Sequence, residues 1–217
     1  MTMPNPAPRT SPPPKAVIFD LDGVIFNSGE SNVIFYDHIL TALGHPPMAR
    51  QAFEVIHSEP LDRSLRYLLG HDEAEYQRAM AFCRGLDPAP FVTSLVLYEG
   101  VAETLAALRE RVRLAVATNR TVTCRLALKH FGLLEMFEQV LTPIEAGLPK
   151  PDPTMMHMTL SRLGLQRDEV VYVGDTGVDQ GMCQAAQVRL LAFRNQGLAA
   201  WAHASHFGEI PELLGLA

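Results

Sequence analysis

The chain has 217 residues, of which 47% are hydrophobic and 19% are charged, and this length suits one substantial core with room for a small insertion. The 18 basic and 24 acidic side chains give a formal net charge of −6 without any basic run, which argues against a nucleic-acid partner. No apolar stretch approaches the roughly 18 residues of a membrane span, so we expect no membrane partner. The three cysteines, Cys83, Cys124 and Cys183, show no paired spacing and indicate reduced thiols in a cytoplasmic protein.

The first predicted element is a buried parallel strand over residues 16–19. The Pro-rich residues 1–14 before it lack the apolar segment of a signal peptide, and we expect them to form a flexible tail. The strand ends in Asp20 and Asp22, and the side-chain period of two lets both carboxylates point the same way. Gly23 then permits a sharp turn. Carboxylates this close repel each other unless a cation or a proton lies between them, so we predict a metal or phosphoryl site here.

The same D-x-D-G pattern also occurs in ordinary loops, and it opens the calcium loop of EF-hands. An EF-hand counted from Asp20 would need Gly at the sixth position and Glu at the twelfth. This chain has Ile25 and Ser31 there, so the calcium loop is excluded.

Residues 28–95 are predicted to be a block of helices. Apolar residues at helical spacing predict helices over about 33–43, 49–57, 62–69 and 72–84, with Asp72 as the N-cap of the last. We find no convincing strand pattern between them. A block of helices inserted directly after a catalytic-looking strand indicates a lid, so we expect a helical cap over residues 28–95 rather than a second independent domain.

From residue 96 the pattern changes to alternating helices and strands. The predicted helices cover 101–111, 122–131, 153–163 and 178–187, the third with Asp152 as N-cap. The predicted strands cover 112–117, 139–141, 169–173 and 188–192. This alternation predicts an α/β fold, a doubly wound parallel sheet with right-handed crossovers, whose core consists of residues 15–27 and 96–217. Ligands of such sheets lie beyond the carboxyl ends of the strands.

Three later segments place polar residues at strand ends or in stiff loops. Thr118-Asn119-Arg120 ends the strand over 112–117 and suits a phosphate oxygen, although Thr118 alone would equally serve as a helix cap. Lys150 lies between two prolines that stiffen its loop and can aim its ammonium at an anion; a surface lysine in a turn is the alternative. Gly174-Asp-Thr-Gly-Val-Asp179 adds two carboxylates, which with Asp20 and Asp22 would supply ligands for one hard cation.

Together these segments resemble the motifs of the haloacid dehalogenase superfamily, in its phosphoglycolate phosphatase-like branch with a helical cap. They occur in the expected order as Asp20-Leu-Asp-Gly-Val24, Thr118-Asn119, Lys150 within Pro-Lys-Pro-Asp-Pro, and Gly174-Asp-Thr-Gly-Val-Asp179. The resemblance runs from about Lys15 to the C-terminus. Two positions depart from it, because Asn27 stands where Asp is usual and Gln180-Gly-Met stands where apolar and small residues are usual.

The resemblance implies a phosphoric monoester hydrolase that requires Mg²⁺. Asp20 would be the nucleophile that forms an aspartyl phosphate. Asp22 would protonate the leaving oxygen and then activate water, and its backbone carbonyl would join the metal shell. Asp20, that carbonyl and Asp175 would hold the Mg²⁺, with Asp179 as a further ligand or as a residue that orients the ligands.

The resemblance also implies a phosphate site made of Thr118, the Asn119 amide and Lys150, whose positive charge would stabilise the transferring oxygens. The cap would select the small phosphorylated metabolite. Arg63 and Arg66 lie one helical turn apart in the cap and are candidates for binding a substrate carboxylate or second phosphate, although solvated helix arginines are the simpler interpretation. We expect a monomer or a homodimer.

Other functions stay open at this point. A phosphomutase would return the phosphoryl group to its substrate. A dehalogenase needs no metal, and family members with that activity lack the acid at the position of Asp22, which argues against it. A phosphate-accepting signalling receiver also combines acids, a Thr and a Lys at strand ends, but such domains are shorter and have no helical insertion after the first strand. A catalytically silent binding protein is the remaining alternative.

Overall fold

The computed structural model describes residues 12–217 and is built around one parallel β-sheet. The strands are β1 (Ala16–Phe19), β2 (Phe26–Asn27), β3 (Val96–Leu97), β4 (Arg113–Ala117), β5 (Gln139–Leu141), β6 (Val170–Gly174), β7 (Arg189–Phe193) and β8 (Ala202–Ala204). Six of them form the sheet in the order β5-β4-β1-β6-β7-β8, with every neighbouring pair parallel. The chain places β4 and β5 on one side of β1 and β6 to β8 on the other. The carboxyl ends of β1, β4 and β6 therefore meet where the strand order reverses, the usual position of a ligand.

Helices cover both faces of this sheet. The α-helices are α1 (Gly29–Ala42), α2 (Phe53–Ser58), α3 (Leu61–Leu68), α4 (Glu73–Gly85), α5 (Ala89–Thr93), α6 (Val101–Arg109), α7 (Cys124–His130), α8 (Pro143–Ala146), α9 (Thr154–Leu163), α10 (Gly177–Ala186) and α11 (Ile210–Leu213). Alternate residues of β1 enter different cores: Val17 and Phe19 pack with α6, α7 and α11, whereas Ala16 and Ile18 pack with α9 and α10. All four side chains are fully buried, as expected of a central parallel strand.

The helices α1 to α5 lie between β2 and β3, and α1 to α4 have a hydrophobic core of their own, whereas Val92 of α5 packs with the core around the sheet. This core includes Tyr36, Ile39, Leu65 and Tyr76, none of which belongs to the cores around the sheet. β2 and β3 pair antiparallel and form a two-stranded stem where the chain leaves and re-enters the sheet layer. The departure at Asn27 falls in this stem, where its side chain is exposed.

The structure confirms the predicted fold class, and each predicted helix and strand corresponds to an observed one with ends shifted by a few residues. The N-cap assigned to Asp152 is wrong, because α9 begins at Thr154 and Pro153 occupies the N-cap position. Pro153 has no N–H, so the Asp152 carboxylate accepts from the Thr154 N–H at 2.9 Å instead. Asp72 does cap α4 through its side chain. The elements that sequence analysis missed have two to five residues (β2, β3, α5, α8, β8 and α11), too few to establish a period.

Two further expectations concern the ends and the surface of the chain. The predicted tail over residues 1–14 lies mostly outside the described residues, and Pro14, within them, is buried. No helix between residues 12 and 217 has the length and apolar character needed to cross a membrane. The three cysteines are free thiols, and Cys124 and Cys183 are buried.

Candidate active site

Asp20 lies directly after β1, at the centre of the carboxyl edge of the sheet. Its backbone N–H donates to the Val173 carbonyl at 2.9 Å, which extends the pairing of β1 and β6 by one residue. Its side chain is buried, with Oδ2 2.8 Å from Lys150 Nζ. The other oxygen, Oδ1, is buried and has no hydrogen-bond partner. Asp20 is thus held firmly through one oxygen and keeps the second for a ligand.

A tight turn over residues 21–26 follows Asp20 and brings the first motif against the last. Three successive N–H groups of this turn converge on the Leu21 carbonyl. Gly23 has a φ of +78°, and a Cβ at this position would lie only 1.9 Å from Asp175 Oδ2. A glycine is therefore needed both for the left-handed backbone and for the close approach of Asp175.

Asp175 and Asp179 come from the end of β6 and the first turn of α10, and they differ in their surroundings. The fully buried Asp179 carboxylate lies 2.6–3.1 Å from five polar groups: Lys150 Nζ, the Tyr172 hydroxyl, the Asp175 N–H, and the N–H and hydroxyl of Thr176. Asp175 keeps Oδ1 buried without a partner, while its Oδ2 lies 3.4 Å from His57 Nε2. Asp179 is therefore saturated and holds its neighbours in place, whereas Asp175 is open to a ligand.

Lys150 connects these carboxylates. Its side chain is 1% exposed, and Nζ lies 2.7 Å from Asp179 Oδ1, 2.8 Å from Asp20 Oδ2 and 3.0 Å from the Tyr172 hydroxyl oxygen. Its backbone N–H donates to Asn119 Oδ1 at 2.8 Å. The ammonium is consequently a fixed charge inside the site, and the surface-lysine interpretation does not describe it.

Thr118 and Asn119 follow β4 and join its end to the lysine loop. Thr118 is buried, and its hydroxyl accepts from the Arg120 N–H at 3.2 Å. The helix α7 begins only at Cys124, with Thr123 at its N-cap, so Thr118 does not cap it. The Asn119 side chain accepts from the Lys150 N–H and donates to the Lys150 carbonyl, at 2.8 and 3.3 Å. Residues 118–120 and Lys150 thus form one connected edge of the site.

Asp22 forms a bidentate pair with Arg120. Arg120 Nε donates to Oδ2 at 2.9 Å, and Nη2 donates to Oδ1 at 2.7 Å. Arg120 Nη1 also donates to the Thr123 hydroxyl at 2.8 Å. Burial by itself would raise the pKa of Asp22, but the adjacent guanidinium outweighs burial and lowers this pKa. Asp22 is therefore held as a carboxylate in this arrangement.

Helices α1 to α5, the segment expected to form the cap, lie against these residues, and a small cavity of about 90 Å³ remains between them and the core. Core residues Asp20, Asp22 and Arg120 line it from one side, and cap residues such as Phe35 and His57 from the other. The His57 ring stacks on Phe53, and its hydrogen bond to Asp175 raises the pKa of His57. Since roughly 10–15 Å³ of such space admits one water, the cavity suits a small ligand.

The two cap arginines singled out from the sequence lie elsewhere. Arg63 pairs with Glu59 on the exposed surface of the cap. Arg66 pairs with Glu73 and lies over the Tyr76 ring at 3.7 Å. Neither arginine lines the cavity, so the structure does not bring them together with the other candidate site residues.

Burial and like charges set the protonation of the carboxylates. Burial raises the pKa of Asp20 to about 7, and Asp179 and Asp175 add to this effect although Lys150 opposes it. Burial likewise raises the pKa of Asp175, despite the hydrogen bond from His57. For Asp179, burial would raise the pKa, but Lys150 outweighs it and lowers this pKa. One ammonium therefore does not offset the buried carboxyl groups, and the site is short of positive charge.

The acidic residues present fit a divalent cation. Asp20, Asp175 and Asp179 each offer an oxygen within 4.8 Å of the other two. Oxygen is the ligand that Mg²⁺ prefers, and a bound cation would lower the raised pKa values. The unpartnered Oδ1 atoms of Asp20 and Asp175 are the two open donors, whereas Asp179 already has five partners.

Several residues of the site were not assigned a role from the sequence. Arg120 directly follows Thr118-Asn119, and its position one residue past the motif was the available signal. Tyr172 lies on β6 two residues before Gly174, and only its strand position pointed toward the site. His57 has no metal-ligand spacing to another histidine, and its contact with Asp175, 118 residues away, has no local signal in the sequence. Asn195, the second residue after the end of β7, donates to the Asp175 carbonyl at 2.8 Å.

Known proteins are similar to this chain over most of its length. The profile of the family described as haloacid dehalogenase-like hydrolase matches residues 17–193. A phosphoglycolate phosphatase of Cereibacter sphaeroides is 28% identical over 215 residues, covering 91% of this chain and 96% of that protein. The pyrophosphatase PpaX of Halalkalibacterium halodurans is 30% identical over 166 residues, covering 75% of each. A crystal structure of a subfamily IA hydrolase of the same superfamily from Geobacter sulfurreducens superposes with a TM-score of 0.82 at 31% identity, covering 92% of this chain and 98% of that one.

Proposed function

The chain belongs to the haloacid dehalogenase-like hydrolase family, and on that premise we propose that it is a Mg²⁺-dependent phosphatase of a small phosphorylated metabolite. The observation that carries the proposal is the pair formed by Asp20 and Lys150. A buried carboxylate with one unpartnered oxygen is held 2.8 Å from a buried ammonium. This arrangement combines a fixed nucleophile with a fixed positive charge beside it, as phosphoryl transfer requires.

In the first step, one carboxylate oxygen of Asp20 attacks phosphorus and the bond from phosphorus to the substrate's ester oxygen breaks. The product of this step is an aspartyl phosphate on Asp20 and a free alcohol. Lys150, the Thr118 hydroxyl and the Asn119 amide bind the transferring oxygens, whose negative charge persists in the transition state. In the second step, water attacks phosphorus and restores the Asp20 carboxylate.

Asp22 supplies the proton for the leaving alcohol and then removes one from the attacking water. The same residue serves both steps because the acid of the first step is left as the base that the second step needs. This role is supported by the cavity that Asp22 and Asp20 line together. Asp22 is also what separates this proposal from halide displacement, which has no alkoxide to protonate.

Asp20, Asp175 and the Asp22 backbone carbonyl are the proposed Mg²⁺ ligands, and Asp179, with its five partners, orients them. When bound, Mg²⁺ would neutralise the carboxylates and polarise the phosphoryl group. Residues 28–95 form the proposed cap that closes over the substrate. The names of the two relatives refer to phosphoglycolate and pyrophosphate, which are small molecules with two anionic groups each. The cytoplasmic location and the monomeric or homodimeric state stay predictions from the sequence.

The test is release of inorganic phosphate from a panel of phosphoglycolate, pyrophosphate, sugar phosphates and nucleotides, with Mg²⁺ and with excess chelator. We expect turnover of at least one small substrate that is lost with the chelator. Asp20→Asn should abolish turnover and leave the circular dichroism spectrum unchanged, since the amide is close in size to the carboxylate that it replaces. Turnover by Asp20→Asn would refute the nucleophile. A phosphoenzyme that stays stable in the wild type would favour a phosphomutase or receiver.

A further inference from the structure

Arg120 is a charged residue of the cavity that the proposed reaction leaves without a task. Its side chain is 10% exposed, lines the cavity and forms a bidentate ion pair with the Asp22 carboxylate. Lys150, the other cation deep in the site, is already shared between Asp20 and Asp179. The planar guanidinium of arginine matches a carboxylate or a phosphate in this geometry better than an ammonium does.

The ion pair of Asp22 with Arg120 conflicts with the proposed role of Asp22 in proton transfer. Arg120 donates to both oxygens of Asp22, at 2.7 and 2.9 Å, so the carboxylate is oriented toward the guanidinium and must turn to meet the leaving oxygen of a substrate. If Asp22 turned to a substrate, Arg120 would lose its carboxylate in a nearly buried position. Removal of one partner from a buried ion pair is strongly unfavourable, because the remaining charge stays desolvated. A second anion on the substrate would remove this obstacle.

We infer that Arg120 binds a second anionic group of the substrate, a carboxylate or second phosphate, which replaces Asp22 on the guanidinium. The released Asp22 carboxylate takes up a proton from solvent, turns toward the ester oxygen and passes this proton to the leaving group. The inference rests on the proposed phosphatase function and names the substrate class of the same site. Substrate binding is thereby coupled to the freeing of Asp22, and a phosphate ester without a second anion is a poor substrate.

The geometry also limits the length of that substrate. Asp22 must reach the ester oxygen, and Arg120 lies within 2.7–3.2 Å of the Asp22 oxygens. The second anion therefore lies close to the leaving oxygen, one or two carbon atoms along the chain or directly on a second phosphorus. The cavity of about 90 Å³ agrees with a substrate of this size.

The experiment compares pairs of substrates that differ only in the second charge. Phosphoglycolate is compared with its carboxamide, and 3-phosphooxypropionate with its carboxamide, each with wild type, Arg120→Met and Arg120→Lys. The lysine variant keeps the positive charge but cannot form the bidentate contact. It replaces the methionine variant in the comparison if that variant does not fold. Arg125→Met is the matched control, since Arg125 is an exposed arginine of α7 that contacts the Val140 carbonyl outside the cavity. The readouts are kcat and KM for every substrate and inhibition by inorganic phosphate.

We expect the wild type and Arg125→Met to prefer the carboxylate of at least one pair by ~10²-fold or more in kcat/KM, since a site built for a polar group rejects an analogue that lacks it. Both Arg120 variants should lose most of this preference, while inorganic phosphate, which binds at Thr118 and Lys150, inhibits all proteins alike. No preference in the wild type, or a preference that survives in the Arg120 variants, would overturn the inference. A burst of 4-nitrophenolate from the wild type and 4-nitrophenyl phosphate tests the phosphatase function separately, because this leaving group needs no proton from Asp22 in the first step.

Discussion

At Gly23 the absence of a side chain lets the first and the last motif meet. Its φ of +78° suits glycine, and a Cβ would lie 1.9 Å from Asp175 Oδ2. That oxygen is at the end of a rotatable side chain, so the Asp175 carboxylate would turn aside while the rest of the turn stays. The damage expected from a substitution is therefore to the proposed metal site more than to the fold.

We expect Gly23→Ala to reduce metal-dependent kcat/KM by ~10²-fold or more, the loss that small misplacements of a reacting group cause. Gly132→Ala is the matched control, because Gly132 has a φ of +69° and nothing within 4 Å of its Cβ position. Both variants should lose about 1–2 kcal/mol of unfolding free energy for the left-handed backbone, measured by urea denaturation. Equal activity of the two variants would contradict the placement of Asp175 at the metal.

Asp22 is the residue whose chemistry depends on the leaving group. Asp22→Asn should slow turnover by ~10²–10⁴-fold for an alkyl phosphate, and by less for an aryl phosphate, whose leaving group needs less protonation. Phosphorylated Asp20 should persist longer in the variant, because the second step lacks its base. The measurements are rate ratios for the two esters and acid-quench trapping of the phosphoenzyme. Asp168→Asn, an exposed acid, is the control. Identical ratios without trapped intermediate would remove Asp22 from proton transfer.

At the scale of elements, the helix α10 and the lysine loop fit against each other through Gly181. A Cβ at Gly181 would lie 2.9 Å from Pro151 Cβ, and Pro151 directly follows Lys150. The Gln180-Gly-Met sequence, which departs from the usual pattern of relatives, is explained by this contact. The glycine lets the loop approach α10 closely enough for the Lys150 ammonium to reach Asp179.

Gly181→Ala should therefore behave unlike an ordinary glycine-to-alanine change in a helix. The replacement normally adds up to about 1 kcal/mol of stability, but here the proline ring must shift, so we expect no gain and a several-fold fall in kcat. Gly177→Ala, in the same helix with nothing within 4 Å of its Cβ position, should be neutral or stabilising and fully active. The checks are urea denaturation and steady-state kinetics. Equal stabilisation by both changes would contradict this prediction, because it would show that the loop with Lys150 and Pro151 shifts without a free-energy cost.

At the scale of the whole molecule, the cap and the sheet meet over a site that is short of positive charge. Three carboxyl groups surround one ammonium, and His57 of the cap lies against Asp175 of the core. A cation bound there would relieve the repulsion among the carboxylates in the native state only. Metal binding is therefore expected to stabilise the fold as well as to permit turnover.

The melting temperature should rise when Mg²⁺ replaces chelator. At a concentration 100 times the dissociation constant, binding contributes about 2.7 kcal/mol, which corresponds to roughly 5–11 °C for a chain of this size. Asp175→Asn should lose most of this shift, since it removes one open donor, and the exposed Asp168→Asn should keep it. The measurement is differential scanning calorimetry with and without Mg²⁺. Superimposable melting curves of the wild type in both conditions would argue against a metal among these carboxylates.

The amino-acid sequence by itself determined the fold class and the family. Continuous apolar runs alternate with amphipathic helices after residue 96, and parallel strands bring their carboxyl ends to one edge. Asp20, Thr118 and Asp175 follow such strands, so their proximity was predictable without coordinates. The comparisons confirm the resemblance that rested on these motifs.

Only the tertiary structure decided which side chains face each other across the site. The pairing of Asp22 with Arg120 joins two loops of the core that are 98 positions apart in the chain. The contact of His57 with Asp175, 118 positions apart, depends on how helices α1 to α5 pack on the core. Arg63 and Arg66 have a spacing that suits a ligand, yet their local partners Glu59 and Glu73 hold them on the cap surface. Local periodicity specifies an element and its buried face, whereas the docking of two separately packed cores fixes distances that no local pattern encodes.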